Sequence, residues 1–239
     1  MTVTEQRTEQ APVGRALIMA PQTPTKVGSF SFSSDVVMLA EPDGPRAEAI
    51  RSVRTFLLGQ HVHAGRRALA VCAASAGTGA TFLSVNLAVA LAQVGVKVLL
   101  VDGDLRGGGV QSMIRPSEVP LGLADALRRR GAFHEFVQPD VVENLSIMYS
   151  GGSSSDGQEL LATEAFHDLV ERCMRDYDLT ILDAPPANAS ADVRRLCAVA
   201  GYGLIVARRD ETFISDLVTL ADQLAQERTI VVGTILNDG

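Results

Sequence analysis

Apolar and polar positions change rhythm twice along this chain. Residues 1 to about 40 are rich in Thr, Gln, Pro and Ser and hold no sustained period. This predicts a disordered arm over residues 1–42, with short ordered patches at Ala16–Ala20 and Val36–Ala40. Asp43-Gly44-Pro45 reads as a helix start, because proline suits the first helical turn. Between Ala47 and Leu58, the apolar Ile50, Val53, Phe56 and Leu57 fall on one stripe, and Glu48, Arg51 and Arg54 on another. From Arg67 onward, short apolar runs alternate with helical patterns. Strands are predicted at Ala68–Ala74, Lys97–Val101, Leu145–Tyr149, Leu179–Leu182, Leu204–Ala207 and Ile230–Leu236. Helices are predicted at Thr81–Val94, Leu121–Arg130, Glu159–Asp176 and Thr212–Gln226. Apolar strands separated by helices define an α/β fold over residues 43–239, a mostly parallel sheet sandwiched by helices.

Three of these strands end in chemistry. The first runs into Ser75-Ala76-Gly77-Thr78-Gly79-Ala80-Thr81. A phosphate loop needs a small residue, four free positions, then Gly, Lys and Ser or Thr. Ala74, Gly79 and Thr81 satisfy that pattern, and Ala80 stands where the Lys belongs. Backbone N–H groups of such a loop hold phosphate without any side chain, and the Thr81 hydroxyl is placed to ligate Mg²⁺. By itself the loop equally suits a tight turn in an α/β fold. The second strand delivers Asp102 and Asp104 to its C-terminal end, the edge where ligands bind in open parallel sheets. Carboxylates there hold Mg²⁺ or orient a nucleophile, and Asp104 alone would also serve as a helix cap. The third strand ends in Asp183-Ala184-Pro185-Pro186, the Walker-B kind of carboxylate that supports a metal through water.

Composition narrows the setting. The 239 residues carry a net charge of −7, only 5% aromatics and no Trp, which argues against nucleic-acid binding and against carbohydrate-stacking modules. Cys72, Cys173 and Cys197 form no CxxC pair and are odd in number, which fits a reducing cytoplasm. No apolar run approaches the roughly 18–20 residues that cross a bilayer, and the N-terminus lacks a signal peptide's order. A cytoplasmic location follows as the expectation. His134 and His167 lack metal-ligand spacing, and His61 and His63 fall in a linker. Arg128 to Arg130 suit a helix C-terminus, and Ser150 to Gly157 read as a flexible loop placed to act as a lid. Among 21 basic residues the only lysines are Lys26 and Lys97.

Together these residues resemble the bacterial tyrosine kinases of capsule and exopolysaccharide systems, relatives of the cell-division and plasmid-partition P-loop ATPases. The likeness covers about residues 43–238. The family's D-x-D-x-R motif stands as Asp102, Asp104 and Arg106, and its apolar-D-x-x-P motif as Asp183 and Pro186. Gln158-Glu159-Leu160-Leu161 is similar to the family's P-x-E-L-L stretch, and Ile235-Leu236-Asn237 to the closing strand whose Asn lies near the adenine. Glu48, Arg51 and Arg54 match its E-x-x-R-x-x-R motif, which mediates ring-like self-association; without the other motifs they would read as a solvated helix face. The resemblance implies a P-loop NTPase-like fold of the partition and division-site type, binding ATP or ADP with Mg²⁺. It implies catalytic roles for Asp102, Asp104 and Asp183, and metal binding by Thr81, Asp104 and Asp183. Nucleotide contacts would come from Ala76, Gly77, Thr78, Gly79, Ala80, Thr81, Phe82, Arg106 and Asn237. It further implies a homo-oligomer, no nucleic-acid partner, and a membrane adaptor of the polysaccharide chain-length-determinant type that recruits the chain to the inner face of the membrane.

Two departures qualify this. Lys97 begins its strand, at the far end of the sheet from the phosphate edge, and Lys26 lies in the arm, so neither replaces the Lys missing at Ala80. Arg106 is the cation that can swing in. A charge-assisted contact contributes about 1.5–3 kcal/mol, roughly ten- to a hundredfold in affinity, and phosphoryl transfer suffers more. The family's C-terminal tyrosine cluster is also unmatched: the tyrosines are Tyr149, Tyr177 and Tyr202, and the first two border strands as packing residues. Three readings stay open. They are a regulatory pseudo-kinase of exopolysaccharide synthesis or export, an active kinase or ATPase using another cation, and a partition or division-site ATPase.

Overall fold

The computed structural model describes residues 30–129, 131–152 and 155–238. The elements in chain order are β1 (Phe30–Phe32), α1 (Val37–Ala40), α2 (Pro45–Leu57), β2 (Ala68–Ala73), α3 (Ala80–Ala92), β3 (Val98–Asp102), α4 (Gly109–Met113) and β4 (Ile114–Pro116). There follow α5 (Leu123–Arg128), β5 (Gln138–Val142), β6 (Leu145–Met148), α6 (Gly157–Leu161), α7 (Glu164–Asp176), β7 (Leu179–Asp183), α8 (Asp192–Ala200), β8 (Tyr202–Arg208), α9 (Ile214–Gln226) and β9 (Ile230–Asn237). Seven strands form one sheet in the order β5-β6-β3-β7-β2-β8-β9, and β1 pairs with β4 apart from it. Within the large sheet every pair is parallel except β5 with β6.

The central strands are apolar throughout because both their faces are buried. Leu69, Val71, Val98, Leu100, Ile181 and Val206 point to the side covered by α1–α4. Ala70, Cys72, Leu99, Val101, Leu182 and Ile205 point to the side covered by α5–α9. Helix α3 is buried on all sides from Leu83 to Ala92, which explains its lack of a polar face. No helix among the described residues is long and apolar enough to cross a membrane.

Several expectations need correction. The packed unit begins at residue 30 instead of 43: Phe30, Phe32, Val36, Val37 and Met38 are buried. Asn86 ties this stretch to α3, with its side-chain amide donating to the Asp35 carbonyl at 2.9 Å and its oxygen accepting the Met38 N–H at 3.2 Å. Segments of three or four residues are too short to show a period, and the expected patch at Ala16–Ala20 lies outside the described residues. The expected helix Glu159–Asp176 is broken between α6 and α7, where extended Thr163 donates its hydroxyl to the Leu160 carbonyl. Helix α8 and strand β5 were not anticipated. The first is the crossover that parallel β7 and β8 need on this sheet face. The second is an edge strand whose Pro139 and Asp140 disguise it. Phe56 leaves its predicted stripe and is 46% exposed, since six residues at about 100° each rotate it well away from Ile50. His61 is buried rather than in an open linker, with its Nε2 3.0 Å from the Ala68 carbonyl and its ring edge-on to Tyr202.

Candidate functional site

Strands β2, β3 and β7 end at one edge of the sheet, and their end residues converge there. Asp102 and Asp183 are register partners on neighbouring strands. Between β2 and α3 the loop encloses a cavity of about 350 Å³, walled by residues 75–82, Asp104 and Ala184–Pro186. Gly77 and Gly79 hold φ of +79° and +90°, which lets the loop fold back on itself. At Gly79 a Cβ would also collide with the side-chain amide of Asn237. That amide donates to the Thr78 carbonyl at 2.9 Å, so the end of β9 braces the loop.

The carboxylate side is a closed hydrogen-bonded set. The Thr81 hydroxyl donates to Asp183 Oδ2 at 2.8 Å, and the Ser84 hydroxyl to Oδ1 at 2.7 Å. Burial raises the Asp183 carboxyl to about 6, against the lowering effect of these two hydrogen bonds. Asp104 lines the cavity, and its Oδ1 accepts the N–H groups of Arg106 and Gly107 at 3.1 and 3.0 Å. Asp102 turns inward. Its two oxygens accept the N–H groups of Asp104 and Val110, both at 3.2 Å, and it is fully buried. Burial, then the nearby Asp183 charge, push its pKa well above the usual carboxylate range.

These residues fit a phosphate group and Mg²⁺: a backbone cradle that only glycines can form, a threonine hydroxyl, and carboxylates behind it. The lysine contact is missing, because Ala80 offers only a methyl group. A second cavity of about 500 Å³ adjoins the first, between α2, Phe82 and the end of β9, with Arg46, Ile50, Leu236 and Asn237 on its walls. It is the larger and more apolar neighbour, the kind of space a nucleoside base fills. Arg106 is exposed and does not line the phosphate-loop cavity.

Glu48, Arg51 and Arg54 share one side of α2. Glu48 pairs with Arg51 at 3.1 Å, and Arg51 also donates to the Pro42 carbonyl. Arg54 reaches the Ala90 carbonyl at 3.5 Å, while its Nε is buried without a partner. The expected lid is anchored in its described part: Ser150 is buried, its carbonyl accepts the Ala124 N–H at 2.9 Å, and Asp156 pairs with Arg128. His167 meets Asp168 and Glu171 on the exposed face of α7, a grouping that spacing alone did not reveal.

Two contributors were missed in the sequence. Ser84 stands three residues after Thr81, on the same helix face, and that spacing was available as a signal. Arg208 Nη1 donates to the Gly77 carbonyl at 2.8 Å, and its Nε pairs with Glu211 at 3.0 Å. Nothing local marks Arg208, because the contact spans 131 positions.

The fold and this edge define a phosphate-loop protein of the α/β class. The chain belongs to the AAA domain family, whose model matches residues 66–226, and its curated relatives are bacterial tyrosine kinases. It is 31% identical over 204 residues to the tyrosine-protein kinase wzc of Salmonella typhimurium, covering 85% of this chain and 28% of that protein. It is 29% identical over 203 residues to the tyrosine-protein kinase YwqD of Bacillus subtilis, covering 85% of each. The chain thus spans about a quarter of the length of the first curated relatives it matches. Among solved structures, the kinase domain of the Escherichia coli tyrosine kinase ETK superposes with a TM-score of 0.78 at 27% identity, covering 84% of this chain and 79% of that one. The septum site-determining protein MinD of Pyrococcus horikoshii, solved with Mg-ADP, shares the fold at a TM-score of 0.62 and 22% identity, covering 72% and 70%.

Proposed function

We propose that this chain is a regulatory pseudo-kinase of exopolysaccharide synthesis or export, binding nucleotide with Mg²⁺ but transferring phosphate weakly or not at all. One observation carries the reading: a complete metal side, Thr81, Ser84, Asp183 and Asp104, faces a loop whose position 80 is Ala. In this reading Thr81, Asp104 and Asp183 hold Mg²⁺, the backbone from Ala76 to Thr81 holds phosphates, and Phe82 and Asn237 border the base. Asp102 acts as a brace, since backbone N–H groups occupy both its oxygens. Bound Mg²⁺ supplies charge neutralisation for the phosphates. The full transfer chemistry also needs the missing cation, and losing one such electrostatic contact typically lowers turnover about 10²–10³-fold.

The tyrosines support this reading. Tyr149 and Tyr177 are buried, Tyr149 donates its hydroxyl to the Ile114 carbonyl at 2.8 Å, and Tyr202 is half-buried. None is presented as a phosphate acceptor. The resemblance to the polysaccharide kinases supports a cytoplasmic chain held at the membrane by a chain-length-determinant adaptor. It also supports self-association through Glu48, Arg51 and Arg54, without nucleic acid. A second reading, an active kinase that uses another cation, rests on Arg106, exposed beside Asp104.

The test is phosphotyrosine formation on the purified full chain with Mg-ATP, compared with Asp104→Ala. Wild-type signal equal to the variant's is the expected result. Turnover that Asp104→Ala abolishes would overturn the pseudo-kinase reading in favour of the second.

A further inference from the structure

The charges around the phosphate-loop cavity are lopsided. Among its described lining residues there is no Lys, Arg or His, and the only ionisable group is Asp104. Positive potential on this wall comes from the backbone alone, from the loop N–H groups and the N-terminus of the 13-residue α3. The nearby arginines are elsewhere. Arg208 is engaged by the Gly77 carbonyl and Glu211, and it does not line the cavity. Arg46 lies over the Phe82 ring at 6.0 Å, in the neighbouring apolar cavity. The side facing the loop carries Asp104, with Asp183 behind Thr81.

In a phosphate loop, main-chain N–H groups serve the inner phosphates, and the lysine reaches the β- and γ-phosphates. Here the first provision is intact and the second is absent. A triphosphate adds a further anionic group, and no basic side chain of the cavity lining answers it. A diphosphate asks mainly for what the backbone supplies. We propose that the site is selective for the magnesium complex of a nucleoside diphosphate over that of the triphosphate, an inference that rests on the nucleotide reading above. The chain would then respond to the diphosphate state of its surroundings and be insensitive to moderate amounts of triphosphate.

The test is calorimetric titration of the full chain, in excess Mg²⁺, with ADP and with the non-hydrolysable β,γ-imido analogue of ATP. Thermal-shift measurements on the same samples give a second readout. ADP is expected to bind on the order of tenfold more tightly or better, the lower end of what one charge-assisted contact confers. Ala80→Lys is expected to bring the two affinities together or invert them. Should that variant fail to fold, the wild-type ratio decides alone. A wild-type chain that binds the ATP analogue as tightly as ADP overturns the selectivity and leaves the nucleotide reading standing. If Arg106→Ala then removes that analogue binding, the missing cation is Arg106. A chain that binds neither ligand overturns the nucleotide reading itself.

Discussion

The two sides of the phosphate-loop cavity are built differently. On the carboxylate side, half-buried Thr81 and buried Ser84 and Asp183 form a set in which both carboxylate oxygens have donors. On the phosphate side, the loop keeps its backbone shape through Gly77, Gly79 and the Asn237 brace, while residue 80 supplies no charge. The contrast separates geometry from charge. Main-chain N–H groups need no side chain to form a phosphate cradle, so the cradle survives the exchange of Lys for Ala. Charge at the terminal phosphates has no main-chain substitute.

The strongest way to break the contrast is to damage the shape that is intact. Gly79→Ala meets both a left-handed φ and the Asn237 amide. Backbone strain of about 1–3 kcal/mol is expected, and ADP affinity should fall by about a hundredfold in titration calorimetry. Unchanged affinity would place the ligand elsewhere. Next comes Asp183→Asn, which tests the carboxylate side. Burial raises this carboxyl to about 6, so its ionised form burdens the metal-free fold at neutral pH. The variant is expected to gain a few degrees in melting temperature without Mg²⁺ and to lose the Mg²⁺-dependent shift. Differential scanning calorimetry with and without the metal reads both. A smaller effect belongs to Arg208→Ala, which frees the Gly77 carbonyl. A loss of about three- to tenfold in ADP affinity is expected, with the fold's melting temperature little changed.

The smallest effect is on pH dependence, which two buried groups pull in opposite directions. Asp183 has a raised folded pKa, so its contribution is most favourable below 3.8 and is lost as the pH rises through about 6. His61 is lowered from 6.5, mainly by burial, so its contribution is full above 6.5 and is lost as the pH falls through its folded pKa. Urea midpoints measured between pH 4 and 8 should therefore lose more stability on the alkaline side in His61→Phe than in wild type. They should lose more on the acid side in Asp183→Asn. Parallel curves for the three proteins would exclude both groups as the source of the pH dependence.

Much of this was legible in the chain. The strand-then-motif order from Ala68 to Asp183 was readable because fully buried strands are continuous apolar runs that stop where polar chemistry begins. Helix α8 was readable in principle, since Val193, Leu196, Cys197 and Ala200 follow helical spacing, but nine residues are a short window for that period. Strands β1 and β5 were not readable, because a three-residue strand and a strand interrupted by Pro139 have no alternation to detect.

By itself, the sequence determined the alternation of strands and helices, the phosphate-loop spacing and the Ala at residue 80, because these are properties of adjacent or helically spaced residues. The tertiary structure alone decided that Asp102 turns inward while Asp104 faces the cavity, that Arg208 braces Gly77, and that Asn237 braces Thr78. Those contacts join residues 131 and 159 positions apart. They exist only because the sheet order sets β8 beside β2 and β9 next beyond β8, a placement that side-chain packing across both faces selects and that no local pattern encodes.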